Sequence, residues 1–196
     1  MARIVVGVSG ASGTILAHRL IQALSTLGHN VELIISRDAS LTILKEMGEE
    51  FASPQKFVKS FSEELRARIR LHHADDFSAP IASGSYRFDA CVIVPCSMAT
   101  LAAISTGLAD NLLRRAADVA LKEKRRLVLV PREAPFNEIH LENMLKLSRM
   151  GAVVFPPIPA WYMLPQSLEE MEQFMISRLL DQLGIVADIM PRWGES

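Results

Sequence analysis

Five short apolar, β-branched-rich runs are each followed by a segment of helical period, and that alternation leaves little choice of architecture. The runs cover residues 4–9, 31–36, 90–95, 127–130 and 152–155. They are apolar throughout rather than alternating, as strands buried on both faces must be. Helical periods cover 14–27, 40–47, 62–71, 98–105, 111–124, 137–150 and 168–183. Gly28 and Gly151 stand where helix-ending glycines belong. Ser167-Leu-Glu-Glu170 reads as a capping box. The pattern predicts an α/β fold: one domain, residues 1–196, with a parallel β-sheet flanked by helices on both faces.

The unusual segments all follow strands. They are Ser9-Gly-Ala-Ser-Gly13, Ser36-Arg37-Asp38, Pro95-Cys-Ser-Met-Ala-Thr100, Pro131-Arg-Glu-Ala-Pro135 and Pro156-Pro-Ile-Pro-Ala-Trp-Tyr162. In an open parallel sheet these carboxyl ends converge on one crevice, where ligands bind. The first segment is a turn of small residues between a strand and a helix. Gly10 and Gly13 permit unusual backbone angles there, and the free N–H groups of the helix start favour an anion. A phosphate-bearing ligand is the expectation; a plain tight turn is the alternative. Gly7, Gly10 and Gly13 do not make the G-x-G-x-x-G dinucleotide pattern, and no Gly-Lys-Ser/Thr follows. Ser9 and Ser12 both miss the G-x-S-x-G nucleophile elbow.

Composition narrows the class. The chain has 196 residues, enough for one domain with a full core. A formal net charge of -1 argues against nucleic acid or an anionic membrane as partner. Arg66-Ala-Arg68-Ile-Arg70 and Lys122-Glu-Lys124-Arg-Arg126 read as solvated helix faces. Neither a signal-peptide pattern nor an 18-residue apolar run occurs, which predicts a soluble, cytoplasmic protein. The 49% apolar content is high for such a domain and points to a large core or to buried subunit interfaces, the second being preferred. Cys91 and Cys96 have no partner pair for zinc, and a reducing cytoplasm disfavours a disulfide; Cys91 reads as core. The histidines show no ligand spacing, and the His72-His73 pair in a long loop, 72–86, is not read as a metal site.

Several strand-end residues have two readings. Ser97 and Thr100, flanking Met98 and Ala99, either donate to a phosphate or cap their helix. Arg132 is a bidentate phosphate contact or a surface ion pair. Glu133 is an acid or base, or that arginine's partner, and Glu46 is ordinarily a solvated carboxylate. Tyr162 ends a rigid proline-rich loop, and Arg178 lies mid-helix as a surface charge would.

Taken in order, eight segments resemble the UbiX-type flavin prenyltransferases, within the wider flavin-binding cysteine-decarboxylase-like group. They are Gly7-Val-Ser-Gly-Ala-Ser-Gly13, Ala82-Ser-Gly-Ser85, Pro95-Cys-Ser97, Arg115-Ala-Ala-Asp-Val-Ala-Leu-Lys122, Leu129-Val-Pro-Arg-Glu-Ala-Pro135, His140-Leu-Glu-Asn-Met144, Pro165-Gln-Ser167 and Pro191-Arg-Trp-Gly194. The resemblance implies a Rossmann-like domain in a homododecamer. It also implies metal-independent transfer of a dimethylallyl group from dimethylallyl phosphate to N5 and C6 of reduced FMN. The product, prenylated FMN, would serve a decarboxylase partner such as that of ubiquinone biosynthesis.

By the same resemblance, Gly10, Ala11, Ser12, Ser36, Ser97, Met98, Ala99, Thr100 and Arg132 match flavin-binding positions. Ser83, Gly84, Ser85, Arg115, Lys122, Tyr162 and Arg178 match the prenyl-phosphate pocket. Ser12, Glu46, Glu133 and Lys122 match catalytic positions, the first three handling protons near flavin N5. Ser9 is left to shape the turn. The C-terminal helix and tail, about 165–196, would make oligomer contacts and reach the prenyl-phosphate site. Phe77 stands where some members carry tryptophan, leaving cation stabilisation weaker or shared with Trp161. The rivals are a flavin-dependent decarboxylase of a cysteine-ended substrate and a flavin carrier without catalysis. Ala99, where the decarboxylase branch has asparagine, opposes the first.

Overall fold

Valine and isoleucine supply four of the six residues of the first strand, β1 (Arg3–Val8), a composition that suits extended, doubly buried backbone. The computed structural model describes residues 1–190. Five more strands follow: β2 (Asn30–Ile35), β3 (Ile69–His72), β4 (Ala90–Cys96), β5 (Arg126–Pro131) and β6 (Val153–Val154). All pair in parallel, in the order β3-β2-β1-β4-β5-β6. The order reverses between β1 and β4, where an open parallel sheet forms its crevice.

Eight helices pack on the sheet: α1 (Thr14–Thr26), α2 (Arg37–Met47), α3 (Pro54–Lys59), α4 (Glu63–Arg66), α5 (Met98–Ser105), α6 (Leu112–Lys122), α7 (Glu138–Arg149) and α8 (Leu168–Leu183). Alternation along β1 sorts its side chains. Ile4, Val6 and Val8 enter a core with Leu16 and Leu20 of α1, Phe57 of α3 and Leu179 of α8. Val5 enters the opposite core with Ile93, Leu101 of α5, Leu113 of α6 and Leu147 of α7. The α/β fold with helices on both faces is therefore as the hydrophobic pattern predicts.

Residues 62–71 differ from the expected helix. The segment splits into the short α4 and the edge strand β3, which pairs Val31 with Ile69 and Leu33 with Leu71. Its polar–apolar alternation at Arg68-Ile-Arg70-Leu71 fits one buried face of a strand, and the exposed edge of β2 supplies the partner. His72 consequently belongs to a strand and is buried, not a loop residue. Two further helices differ from the expected pattern. α2 starts at Arg37 because the Ser36 hydroxyl accepts the Ala39 N–H (3.2 Å). α3 is an additional helix, started by the Ser53 hydroxyl, which accepts the Lys56 N–H, and by Pro54 in the first turn. Cys91 and Cys96 are free and fully buried; burial pushes the Cys91 thiol up to about 12 and the Cys96 thiol higher still. Among the described residues no helix is long and apolar enough to cross a membrane. The Pro191-Arg-Trp-Gly194 segment lies outside the described residues.

Gly7 lets α6 lie directly on β1. A β-carbon there would stand 2.7 Å from Ile93 Cδ1 and 2.9 Å from Leu113 Cγ. Gly7→Ala should therefore cost about 1–3 kcal/mol of stability, read as a lower urea midpoint at an unchanged slope; an unchanged midpoint would show that α6 can shift freely.

Candidate active site

Ser9 ties the floor of the crevice together. Its hydroxyl donates to the Pro95 carbonyl (2.9 Å) and accepts the Ser97 N–H (2.8 Å), so the ends of β1 and β4 are bonded through one buried side chain. Ser36 N–H donates to the Val8 carbonyl (2.9 Å) and brings the end of β2 alongside. Ser9 is thus the turn-shaping residue, and Gly10, Ala11, Ser12, Ser36, Ser97 and Arg132 all lie at the carboxyl edge of the sheet.

The start of α1 is not an open anion site. Gly13, at φ 97°, turns the chain into the helix without a side-chain cap. The carboxylate of Glu46 from α2 takes that role. It accepts the Gly13 N–H (3.1 Å), the Thr14 N–H (2.9 Å) and the Thr14 hydroxyl (2.8 Å). Burial alone would raise the Glu46 pKa, but these donors, with the Ser12 hydroxyl, hold it below its ordinary value of 4.5. The expected cradle for a ligand phosphate at Gly13 and Thr14 is occupied by the chain's own anion. Glu46 is accordingly no idle solvated carboxylate; it stays ionised and fixes the Ser12 hydroxyl.

At the end of β4, Ser97 caps α5. Its hydroxyl accepts the Thr100 N–H (3.2 Å) and donates to Thr100 Oγ1 (3.1 Å), so Ser97 is the cap and Thr100 the residue it caps. The capping leaves the Met98 and Ala99 N–H groups at the crevice. Arg132 N–H donates to the Cys96 carbonyl (3.3 Å), and its exposed side chain has no ion pair among the described residues. Glu133 is also exposed; its carboxylate accepts the neighbouring Ala134 N–H (3.0 Å) and does not pair with Arg132.

A second cluster sits at the amino edge of the sheet. Arg115 Nε donates to the Ala82 carbonyl (2.9 Å), while Arg125 Nη2 and Nη1 donate to the Gly84 (2.6 Å) and Tyr86 (2.8 Å) carbonyls. The Arg125 guanidinium also stacks on Phe88, at 4.4 Å. Two arginines thus clamp the Ser83-Gly84-Ser85 turn through the carbonyl of Gly84 and those of its flanking residues Ala82 and Tyr86, and the two serine hydroxyls bond one another (2.9 Å). Lys122, at the end of α6, pairs with Glu123 against Gly84. Arg125, read from sequence as part of a solvated face, is instead structural; only its nearness to Phe88 in space could have revealed it.

These clusters do not meet within one protomer. Ser12, Ser36, Ser97 and Arg132 follow strands, whereas Ser83, Gly84, Ser85 and Lys122 precede them, and six-residue strands separate the two edges by about 20 Å. Arg115, in the first turn of α6, is bonded to the turn of the second cluster and to Asp118 (2.6 Å). Tyr162 is 59% exposed and stands edge-on to Phe174 at 6.2 Å. Arg178 pairs with Asp181 (2.9 Å) in the last turns of α8, whose end packs on Arg126 at the amino edge. Phe77 and Trp161 are exposed. Among the described residues no group of three or more His, Cys, Asp or Glu side chains could hold a metal.

Glu46→Ala removes the cap of α1 and should lower stability by about 1 kcal/mol at neutral pH. A depressed carboxylate pKa stabilises the fold above its unfolded value and ceases to do so as pH falls through its folded value. The wild-type advantage should therefore shrink below pH 4.5. Urea unfolding across that range checks it; a difference independent of pH would show that the charge is irrelevant.

The flavoprotein family profile matches residues 1–177. The chain is 51% identical over 193 residues to a flavin prenyltransferase UbiX of Chlamydia pneumoniae, covering 98% of each chain. A crystal structure of AnUbiX in complex with FMN and dimethylallyl pyrophosphate superposes with a TM-score of 0.88 at 42% identity, covering 98% of this chain and 97% of that one. A dodecameric FMN-dependent UbiX-like decarboxylase from Escherichia coli O157:H7 gives a TM-score of 0.85 at 42% identity, covering 97% and 98%. Agreement over the whole length, in sequence and in fold, places the chain in the flavoprotein family, among the UbiX flavin prenyltransferases.

Proposed function

We propose that this protein transfers a dimethylallyl group from dimethylallyl phosphate to N5 and C6 of reduced FMN, making prenylated FMN for a decarboxylase in the cytoplasm. The observation that supports it most is the pairing of two separate polar clusters, one at each edge of the sheet. A flavin carrier needs only the first. The second, where Arg115 and Arg125 clamp the turn beside Lys122, suits a leaving phosphate.

The crevice fits FMN. Ser36, the Met98 and Ala99 N–H groups at the start of α5, and Arg132, which has no ion pair among the described residues, offer donors along one wall. Gly10 keeps the turn close to α2, since a β-carbon there would stand 2.7 Å from Asp38 Cβ. Bound reduced FMN supplies the nucleophilic N5 and C6. Ser12, aligned by ionised Glu46, holds its oxygen toward N5 and can relay the N5 proton to the Glu46 carboxylate, which is the acceptor. Lys122 and Arg178 neutralise charge growing on the departing phosphate, as a poor leaving group requires. Glu133, unpaired with Arg132, is free to take the C6 proton; the aromatic faces of Tyr162, Trp161 and Phe77 can surround an allyl cation.

Because the clusters lie about 20 Å apart in one protomer, the reading requires a neighbouring subunit to bring Lys122 and the Ser83–Ser85 turn over the flavin of the first. The exposed apolar residues Ile158, Trp161, Leu164 and Leu168, with Ile139 and Leu145 on α7, are surfaces for such contacts. The assembly is a homododecamer, in which α8 and the tail after it take part.

Incubation without oxygen with reduced FMN and dimethylallyl phosphate should raise the flavin mass by one dimethylallyl unit. Ser12→Ala and Lys122→Ala should lose product while still binding FMN; an unchanged flavin mass with bound FMN overturns the proposal. Gly84→Ala tests the second cluster alone. A β-carbon there would meet Glu123 and Lys122 Nζ, so KM for dimethylallyl phosphate should rise while FMN affinity stays constant.

A further inference from the structure

The run Val31-Glu-Leu-Ile-Ile35 of β2 carries one carboxylate among aliphatic side chains, and the Glu32 side chain is only 6% exposed. Both of its oxygens are engaged. One accepts the Tyr86 hydroxyl (2.6 Å), with Arg3 Nε 3.4 Å away. The other accepts a hydrogen bond from His72 Nε2 (2.6 Å). Burial would raise the Glu32 pKa, but the His72 and Tyr86 bonds, with Arg70 nearby, hold it below its ordinary value of 4.5. Burial and the bond to Glu32 push the Tyr86 phenol above its ordinary value of 10, so the hydroxyl keeps the proton it donates. A buried ionic group is a weak stabiliser, since apolar side chains of similar volume often serve the fold as well. Stability alone therefore does not account for this network.

Tyr86 also closes the Ser83-Gly84-Ser85 turn. Its N–H donates to the Ser83 carbonyl (3.3 Å), which makes residues 83–86 a four-residue turn. Its carbonyl accepts Arg125 Nη1 (2.8 Å), and its ring lies under the Arg3 guanidinium at 4.9 Å. Every polar group of Tyr86 is thus committed. Arg115 and Arg125 reach the turn from α6 and from the residue before β5, whereas the Tyr86 side chain ties it to the interior of β2. Ser83 and Ser85 are exposed while Tyr86 is half-buried, so the turn presents its hydroxyls outward from an inward anchor.

We propose that Tyr86 is a positioning residue for the prenyl donor: its hydroxyl, held by Glu32, sets where the Ser83 and Ser85 hydroxyls meet the phosphate monoester. The inference rests on the reading of this turn as part of the prenyl-phosphate pocket. Tyr86 touches no substrate and acts through the turn. The serine hydroxyls bind the phosphate about equally before and during departure, whereas Lys122 answers the charge that grows on it. Loss of the anchor therefore falls on KM and spares kcat.

Tyr86→Phe deletes the hydroxyl and keeps the ring. KM for dimethylallyl phosphate should rise roughly ten-fold, because a small displacement of a binding group is costly. The turnover number should stay the same, as should FMN affinity read from quenching of flavin fluorescence. Glu32→Gln is the rescue variant. Glutamine keeps an acceptor oxygen for the phenol, and its amide N–H can donate to His72 Nε2 with the ring in its other tautomer. Its KM should stay near the wild-type value. An unchanged KM in Tyr86→Phe overturns the proposal, even if the urea midpoint falls, since the hydroxyl then serves the fold alone. A KM raised as far in Glu32→Gln as in Tyr86→Phe also overturns it, because the tie would then not be what matters. Wild-type protein that binds FMN but yields no prenylated flavin overturns the prenyltransferase reading, and this proposal with it; wild-type turnover beside an unaltered Tyr86→Phe overturns the positioning alone.

Discussion

Every strand of this sheet runs in the same direction, and the placement of chemistry follows from that constraint. A parallel sheet has two unlike edges. Whatever follows a strand lies at one edge, and whatever precedes a strand lies at the other. The Ser9, Ser36, Ser97 and Arg132 segments fall on the first edge, while the Ser83–Ser85 turn and Lys122 fall on the second. No loop rearrangement can bring them together across a sheet whose strands are buried on both faces. Only another copy of the chain can, so assembly becomes a condition of the proposed chemistry.

Within the first edge, the arrangement of α1 and α2 shows how a helix dipole can be answered internally. The amino end of a helix attracts an anion, and Glu46 supplies one from the neighbouring helix, 32 residues beyond Thr14 in sequence. The result is an ionised carboxylate that is hydrogen-bonded by the turn rather than by water. It aligns Ser12 without needing a ligand. Ser9 does the corresponding work below it, linking β1 to β4 through a hydroxyl that no solvent reaches.

The sheet and most helices were legible in the sequence because doubly buried strands are written as unbroken Val and Ile runs, and helix ends are written as Ser, Asn and Gly. Residues 62–71 misled because an edge strand with one wet face has a weaker pattern, and its partner, β2, is distant in sequence. The site was legible as a set of strand-end segments, but not as geometry. Nothing in the spacing of Glu46 from Gly13 signals that they touch, and nothing in Lys122-Glu-Lys124-Arg-Arg126 signals that its fourth residue clamps Gly84 and Tyr86. Those contacts arise from packing alone. His72 is hidden for the same reason: a histidine beside another histidine resembles a loop residue, and its place at the end of β3, 2.6 Å from Glu32, comes from packing alone.

The two cysteines acquire a meaning from their surroundings. Cys96 lies directly before Ser97, at the floor of the crevice, yet it is fully buried, and Cys91 is sealed deeper along the same strand. Burial holds both thiols protonated, so peroxide formed when reduced flavin meets oxygen finds no thiolate to react with. Both sulfurs become reactive only when β4 parts from its neighbours. The central strand therefore carries its own chemical clock: a thiol reagent that reacts faster than the strand recloses consumes these residues at the rate at which the middle of the sheet opens.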